Sequence, residues 1–191
     1  AEENKLLGGA VIGSGMINGK KLCYALSGCG KVNAAIAATS LIERYNPTGI
    51  VNVGLAGAVN YPKGTYYVKT SRQGDFDLKF LKEGFDPSEQ LTPSESLILQ
   101  TFSDMKGVDL ITTDKFITYD SLAIYAKFGS CLVDMEGAAI NWVCECYNKN
   151  YYGIKIVSDD CNEDEYKDSV VTEKITPAEI AIKLFKTYEK I

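Results

Sequence analysis

The chain has 191 residues, 46% of them apolar, and a formal net charge of -5, which suits one globular domain around one sizeable core. That acidic balance, with only two arginines (Arg44 and Arg72) set far apart, gives no basic face to a phosphate backbone and argues against nucleic acid as a partner. No apolar run approaches the about 20 residues that span a bilayer and no segment reads as a signal peptide, so the expectation is a soluble, cytoplasmic protein with no membrane contact.

In chain order, 10–17 and 20–27 are strand-like runs around Asn18-Gly19, a dipeptide suited to the positive φ angles of a tight hairpin. After Gly28-Cys29-Gly30, Lys31–Tyr45 reads as a helix with an apolar stripe of Val32, Ala35, Ile36, Leu41 and Ile42. A short buried strand over 49–53 runs into Gly54-Leu55-Ala56-Gly57, and a second strand follows around 65–70. Thr92-Pro93-Ser94-Glu95 and Thr176-Pro177-Ala178-Glu179 each supply a cap, a first-turn proline and a box-closing glutamate. They predict helices running to about Met105 and Tyr188. Strands are expected at 108–112 and 154–157, and a largely buried helix over 134–147 carrying Ala138, Ala139, Trp142, Val143 and Cys146. The alternation of types predicts an α/β layered fold, and the hairpin makes its sheet mixed.

Six cysteines (Cys23, Cys29, Cys131, Cys144, Cys146 and Cys161) show no CxxC pairing, and histidine is absent. Reduced, mostly buried thiols are therefore expected, with no metal site; Cys144 and Cys146 fit an apolar helical pattern at least as well as a soft metal. Without histidine, acid–base chemistry falls to carboxylates, lysine, tyrosine or thiol.

Ligands of open α/β sheets gather at the carboxyl ends of strands, and four segments sit there. Ser27-Gly28-Cys29-Gly30-Lys31-Val32-Asn33 is a glycine turn at a helix start whose amides could meet a polar ligand. Asn33 stands where a dinucleotide fingerprint needs its third glycine, so this is a weak sign of a nicotinamide cofactor. Asn52-Val53-Gly54-Leu55-Ala56-Gly57 has small residues that admit a flat ring or simply pack tightly. Val133-Asp134-Met135-Glu136-Gly137 offers two carboxylates that could bind a ligand or cap a helix. Ile156-Val157-Ser158-Asp159-Asp160 ends in paired carboxylates, which burial and mutual repulsion could turn into a proton donor, or which could cap a turn.

Taken together and in order, these segments, with Asp114-Lys115-Phe116-Ile117, resemble the nucleoside phosphorylase and nucleosidase superfamily, and most closely its 5'-methylthioadenosine/S-adenosylhomocysteine nucleosidase branch. The resemblance covers nearly the whole chain. It implies a three-layer αβα sandwich around a mixed, partly barrel-like sheet, a single domain over 1–191 lacking the family's first strand, no cofactor, and a homodimer acting on a small nucleoside. It implies that Asp159, held by Ser158, protonates or hydrogen-bonds N7 of adenine, and that Glu136 grips the ribose hydroxyls with Met135 along the sugar. Phe116 would stack on the base, Ile117 would offer backbone contacts to its edge, and Ala56 and Gly57 would line the opposite side. Asp134 and Cys29 complete the expected substrate-binding set. Glu3, in the acidic run Glu2-Glu3, would activate water, and Tyr166 is a candidate for the 5' end. Leu55 and Asp134 depart from the serine or threonine and the second glutamate usual in the family.

Rival readings are a phosphate-dependent phosphorylase, a futalosine-type hydrolase and a binding-only member. Phosphorylases grip phosphate with several arginines, and two separated ones favour hydrolysis.

Overall fold

The Asn-Gly hairpin forms in the computed structural model, which describes residues 2–5, 10–17, 19–76, 97–98, 107–121 and 128–171. Strands β2 (Val11–Ile17) and β3 (Lys20–Leu26) pair antiparallel with Ile17 opposite Lys20. Gly19 has the positive φ, 76°, that so short a turn demands. A further strand, β1 (Glu2–Lys5), pairs antiparallel with β2, so the chain opens with three strands rather than a lone hairpin.

Helix α1 occupies Lys31–Tyr45, as expected, but its inward face matches the expected stripe only in part. Its buried residues are Ala34, Ala37, Ala38 and Ile42, while Val32 and Ile36 are 72% and 40% exposed. The predicted stripe is right for Ile42 and Ala35, which meet the core, and wrong for Val32 and Ile36. Alanine turns inward because its small side chain lets the helix lie close to the sheet and to the second helix.

The remaining strands are β4 (Gly49–Val59), β5 (Thr65–Gln73), β6 (Leu97–Ile98), β7 (Gly107–Thr112), β8 (Cys131–Asp134) and β9 (Asn150–Asp159), with helices α2 (Gly137–Cys146) and α3 (Glu163–Val171). They form a mixed sheet ordered β6-β5-β7-β8-β4-β9, and β5 also pairs with β9. Five strands thereby close on themselves into a barrel-like ring. The β5–β7, β7–β8 and β4–β9 pairings are parallel, and β4–β8 and β5–β9 antiparallel. The α/β class with a central mixed, barrel-like sheet is the fold expected from the sequence.

Several boundaries differ from expectation, among them β9, which runs over Asn150–Asp159 rather than 154–157. Strand β4 does not stop at Val53 but runs through its glycines to Val59. Those glycines open space beside neighbouring side chains: a Cβ at Gly54 would lie 3.4 Å from Lys155 Nζ, and one at Gly57 would lie 3.1 Å from Asp159 Oδ1. The helix expected over 134–147 starts at Gly137, because Asp134 is still paired in β8 opposite Thr112. Within it Cys146 is exposed, and Ala139 and Trp142 are half-buried. All six cysteines are free, but only Cys131, Cys144 and Cys161 are buried. The helices expected after Thr92 and Thr176 lie outside the described residues. No helix among the described residues is long and apolar enough to cross a membrane.

The main core joins the alanine face of α1, Ile140, Val143 and Cys144 of α2, and Ile50, Ala56, Ala58, Val68, Leu110 and Leu132 of the sheet. Gly137 marks its tightest point. A Cβ there would collide with Leu110 Cδ2 and stand 2.8 Å from Asp134 Oδ2 and 3.3 Å from Tyr151 Oη. Gly137→Ala is therefore expected to lower the unfolding free energy by about 1–3 kcal/mol, the usual range for overpacking. Urea unfolding should show it as a fallen midpoint with an unchanged slope.

Candidate functional site

The ends of β4, β7, β8 and β9 meet at one rim of the closed sheet. Asp159, the last residue of β9, is 1% exposed. Its Oδ2 accepts the Ser158 hydroxyl at 2.7 Å, and its Oδ1 accepts the amides of Cys161 at 2.9 Å and Asn162 at 3.2 Å. Ser158 also lies 3.3 Å from the Ala56 carbonyl, and its own carbonyl accepts the Ser169 hydroxyl of α3 at 2.6 Å. The carboxyl group is thus fixed in direction, and it fits beside β4 because Gly57 has no side chain. Ala56 and Gly57 line this wall.

The second carboxylate arises from the β8–α2 junction. Glu136 is the N-cap residue of α2, and its Oε1 accepts the Gly30 amide at 2.8 Å. The glycine turn before α1 therefore spends one amide on a protein carboxylate. Burial raises the Glu136 pKa most, the charge of Asp134 raises it further, and the Gly30 hydrogen bond and the Lys155 charge act against this. Met135 Sδ stands 3.5 Å from the exposed Cys29 thiol, placing Cys29 at the same junction. The Cys29 pKa is raised, by burial first and then by Glu136, so this thiol is not an activated nucleophile.

Asp134 takes a different place from the one expected of a substrate-binding group. Its carboxylate is buried against the Lys155 ammonium at 2.7 Å, and it also accepts the Thr112 hydroxyl at 2.5 Å and the Gly137 amide at 2.9 Å. With those partners it holds protein to protein.

Phe116 and Ile117 follow β7. Ile117 is buried with Ile111, Cys131, Val133 and Cys161, which anchors the loop and leaves its backbone as the part that could meet a ligand. Phe116 is half-buried and meets Tyr166 of α3 edge to face, with ring centroids 5.3 Å apart. Tyr166 connects the halves of the site. Its pKa is raised by partial burial first, then by Cys29, Glu136 and Asp159, so all three groups lie within electrostatic reach of its hydroxyl. A clamp braces the loops from outside: Lys31 Nζ pairs with Asp75 at 2.6 Å and Asp114 at 3.1 Å, and Asp75 accepts the Asp114 amide at 2.7 Å.

The structure therefore brings Asp159, Ser158, Glu136, Met135, Cys29, Phe116, Ala56 and Gly57 to one rim. Glu3 lies in β1 opposite Gly13, and its side chain lies outside what the structure describes. Lys155 and Thr112 escaped the sequence reading. The signal for Lys155 was available, since a lone lysine inside the apolar run Gly-Ile-Lys-Ile-Val must find a partner if that strand is buried.

Residues 2–186 match the family model of the phosphorylase superfamily, the class that this closed sheet and its rim of carboxylates define. The 5'-methylthioadenosine/S-adenosylhomocysteine nucleosidase of Shewanella pealeana is 30% identical over 175 residues, covering 81% of this chain and 75% of its own length. Among solved structures, a mutant Helicobacter pylori nucleosidase of the same name, with 5'-methylthioadenosine in its active site, superposes with a TM-score of 0.81 at 21% identity. That match covers 100% of this chain and 89% of the other. The native futalosine hydrolase of Helicobacter pylori superposes at 0.82 with 20% identity, covering 100% and 88%. The chain belongs to the phosphorylase superfamily and, within it, to the family of 5'-methylthioadenosine/S-adenosylhomocysteine nucleosidases.

The electrostatics of Glu136 have a consequence for stability. A carboxyl group whose pKa is raised by folding favours the folded state fully at pH values below its unfolded pKa, and that contribution is lost as pH rises through the folded value. Glu136→Gln, which keeps an oxygen for the Gly30 amide, should therefore make the ligand-free protein more stable than the parent at pH 7. The gain should fade as pH falls toward the ordinary carboxylate range. Urea unfolding of both proteins at several pH values measures it, and equal pH slopes would refute it.

Proposed function

We propose that this protein hydrolyses the N-glycosidic bond of 5'-methylthioadenosine- or S-adenosylhomocysteine-type nucleosides, releasing adenine and a 5-thioribose product. The observation that carries this reading is the convergence of a fixed buried carboxyl, Asp159, and a second carboxylate, Glu136, around the Phe116–Tyr166 aromatic pair. One acid for the base, one anion for the sugar and a ring for stacking are what an N-ribosyl hydrolase requires.

In this mechanism the bond from the anomeric carbon to adenine N9 breaks with its electrons passing to the base. Asp159 donates a proton or hydrogen bond to N7, which makes adenine the better leaving group. Positive charge grows on the sugar, and Glu136, bound to the ribose hydroxyls, lies near enough to oppose it. Met135 lies along the sugar, Phe116 stacks on adenine, the backbone at Ile117 meets its edge, and Ala56, Gly57 and Cys29 complete the walls. Water adds to the anomeric carbon and gives its proton to Glu3, an assignment that rests on the family resemblance. Asp134 belongs to the support of Glu136 rather than to the substrate contacts.

The arginines favour water over phosphate as the acceptor. The guanidinium of Arg72 lies over the Phe128 ring, 5.6 Å from its centroid. Arg44 sits in the last turn of α1, about 20 Å along the helix from Gly30 at 1.5 Å per residue. The protein is further proposed to work in the cytoplasm as a homodimer, since Val32 and Ile36 on the outer face of α1 suit a second copy; equilibrium sedimentation should give twice the 20.9 kDa chain mass.

The test is adenine release from 5'-methylthioadenosine, S-adenosylhomocysteine and futalosine, with and without phosphate. Phosphate-independent release from a thio-substituted substrate is expected, with Asp159→Asn reducing turnover by about 10²–10⁴-fold, the range for loss of a general acid. Dependence on phosphate would make the protein a phosphorylase, and release from futalosine alone would move it to that branch.

A further inference from the structure

One buried charged pair is not used by the mechanism above. Lys155 and Asp134 are each 1% exposed at the side chain and 2.7 Å apart. A lysine in the middle of a buried strand is expensive to desolvate and persists only with good geometry and further hydrogen bonds. Gly54 supplies the room on one side of the ammonium, where a Cβ would come within 3.4 Å.

The partners of Asp134 all belong to the start of α2 or to its support. Oδ2 holds the Gly137 amide at 2.9 Å, and Oδ1 accepts the Thr112 hydroxyl at 2.5 Å. Thr112 Oγ1 in turn accepts the Ala138 amide at 2.8 Å. The first two amides of the helix are thus bound to an anion and to a hydroxyl which that anion orients. Met135 and Glu136 form the two-residue span between the pinned Asp134 and the pinned Gly137. The Glu136 carboxylate leaves this span to reach Gly30, 106 residues earlier in the chain.

Building on the proposed role of Glu136 at the sugar, we infer that Lys155 is a positioning residue, which by pinning Asp134 holds the Met135–Glu136 span so that the Glu136 carboxylate faces the ribose. Lys155 touches no substrate. Its charge has a second effect, because it offsets Asp134, whose negative charge raises the Glu136 pKa. Among the described residues, the ionisable groups around Glu136 are Asp134 from β8, Lys155 and Tyr151 from β9, Cys29 from the glycine turn and Tyr166 from α3. Lys155 is the cation among them. Its removal should raise the Glu136 pKa further and move the acid limb of the rate profile to higher pH.

The experiment compares the parent, Lys155→Arg, Lys155→Met and the paired change Lys155→Met with Asp134→Asn. Two quantities are measured: hydrogen exchange at the Gly30 amide, and kcat/KM for adenine release across pH. In Lys155→Met the Gly30 amide should exchange about tenfold faster or more while β4 amides keep their protection. Its kcat/KM should fall about 10- to 100-fold, the scale of a small misplacement, with the acid limb moved upward. Lys155→Arg should restore both quantities. The paired change should return the acid limb toward its parental position, since the uncompensated anion is gone, yet leave Gly30 poorly protected.

Parental Gly30 exchange and kcat/KM in folded Lys155→Met would overturn the inference. If that variant does not fold, the paired change decides through the Gly30 amide: fast exchange supports positioning and parental exchange overturns it. A parent that releases no adenine would defeat the functional reading alone, and Gly30 exchange would still judge the role of Lys155.

Discussion

The closure of β5, β7, β8, β4 and β9 into one ring is the constraint from which the site follows. An open sheet can leave its strand ends far apart, but closure returns β9 to β5 and carries the ends of β4, β7, β8 and β9 to one rim. Each end delivers a different part: small walls from β4, a hydroxyl from β7, a buried anion from β8, and the Ser158–Asp159 pair from β9. The parallel pairing of β4 with β9 does the finest part of this, setting glycines of one strand beside polar side chains of the other. A methyl group at Gly57 would press on Asp159 directly. The small residues of β4 are therefore the negative image of the functional groups on β9.

A protein without histidine has to obtain acid–base function from environment. Here two carboxyl groups of similar intrinsic acidity are placed in unlike surroundings. Asp159 is met by a hydroxyl and two backbone amides, whereas Glu136 is met by one amide and by the repulsion of Asp134.

Much of this arrangement was legible in the residues. Asn-Gly marked the hairpin because few dipeptides accept its φ angles, and the apolar run before Ser158-Asp159 marked β9. The order of short motifs identified the family where no single motif could. What stayed hidden depended on the third dimension. Val32 and Ile36 of α1 were misplaced because periodicity ranks side chains by hydrophobicity, whereas close helix packing selected alanine. Asp134 looked like a ligand-binding group because the sequence does not tell which way a strand-end carboxylate turns. Its turn inward is fixed by Lys155, 21 residues later in the chain and adjacent only once β8, β4 and β9 are assembled. Tyr166 was named for the 5' end, but its edge-to-face contact with Phe116 was not foreseen, because it exists only once α3 folds back over β9.

The start of α2 also gives the molecule an optical property. Trp142, the chain's one tryptophan, stands half-buried on this helix six residues after its N-cap residue, Glu136. Any shift of the helix start is therefore transmitted to a single indole at the edge of solvent. Its emission needs no deconvolution from other tryptophans, so the protein carries its own spectroscopic gauge of how firmly that helix is seated.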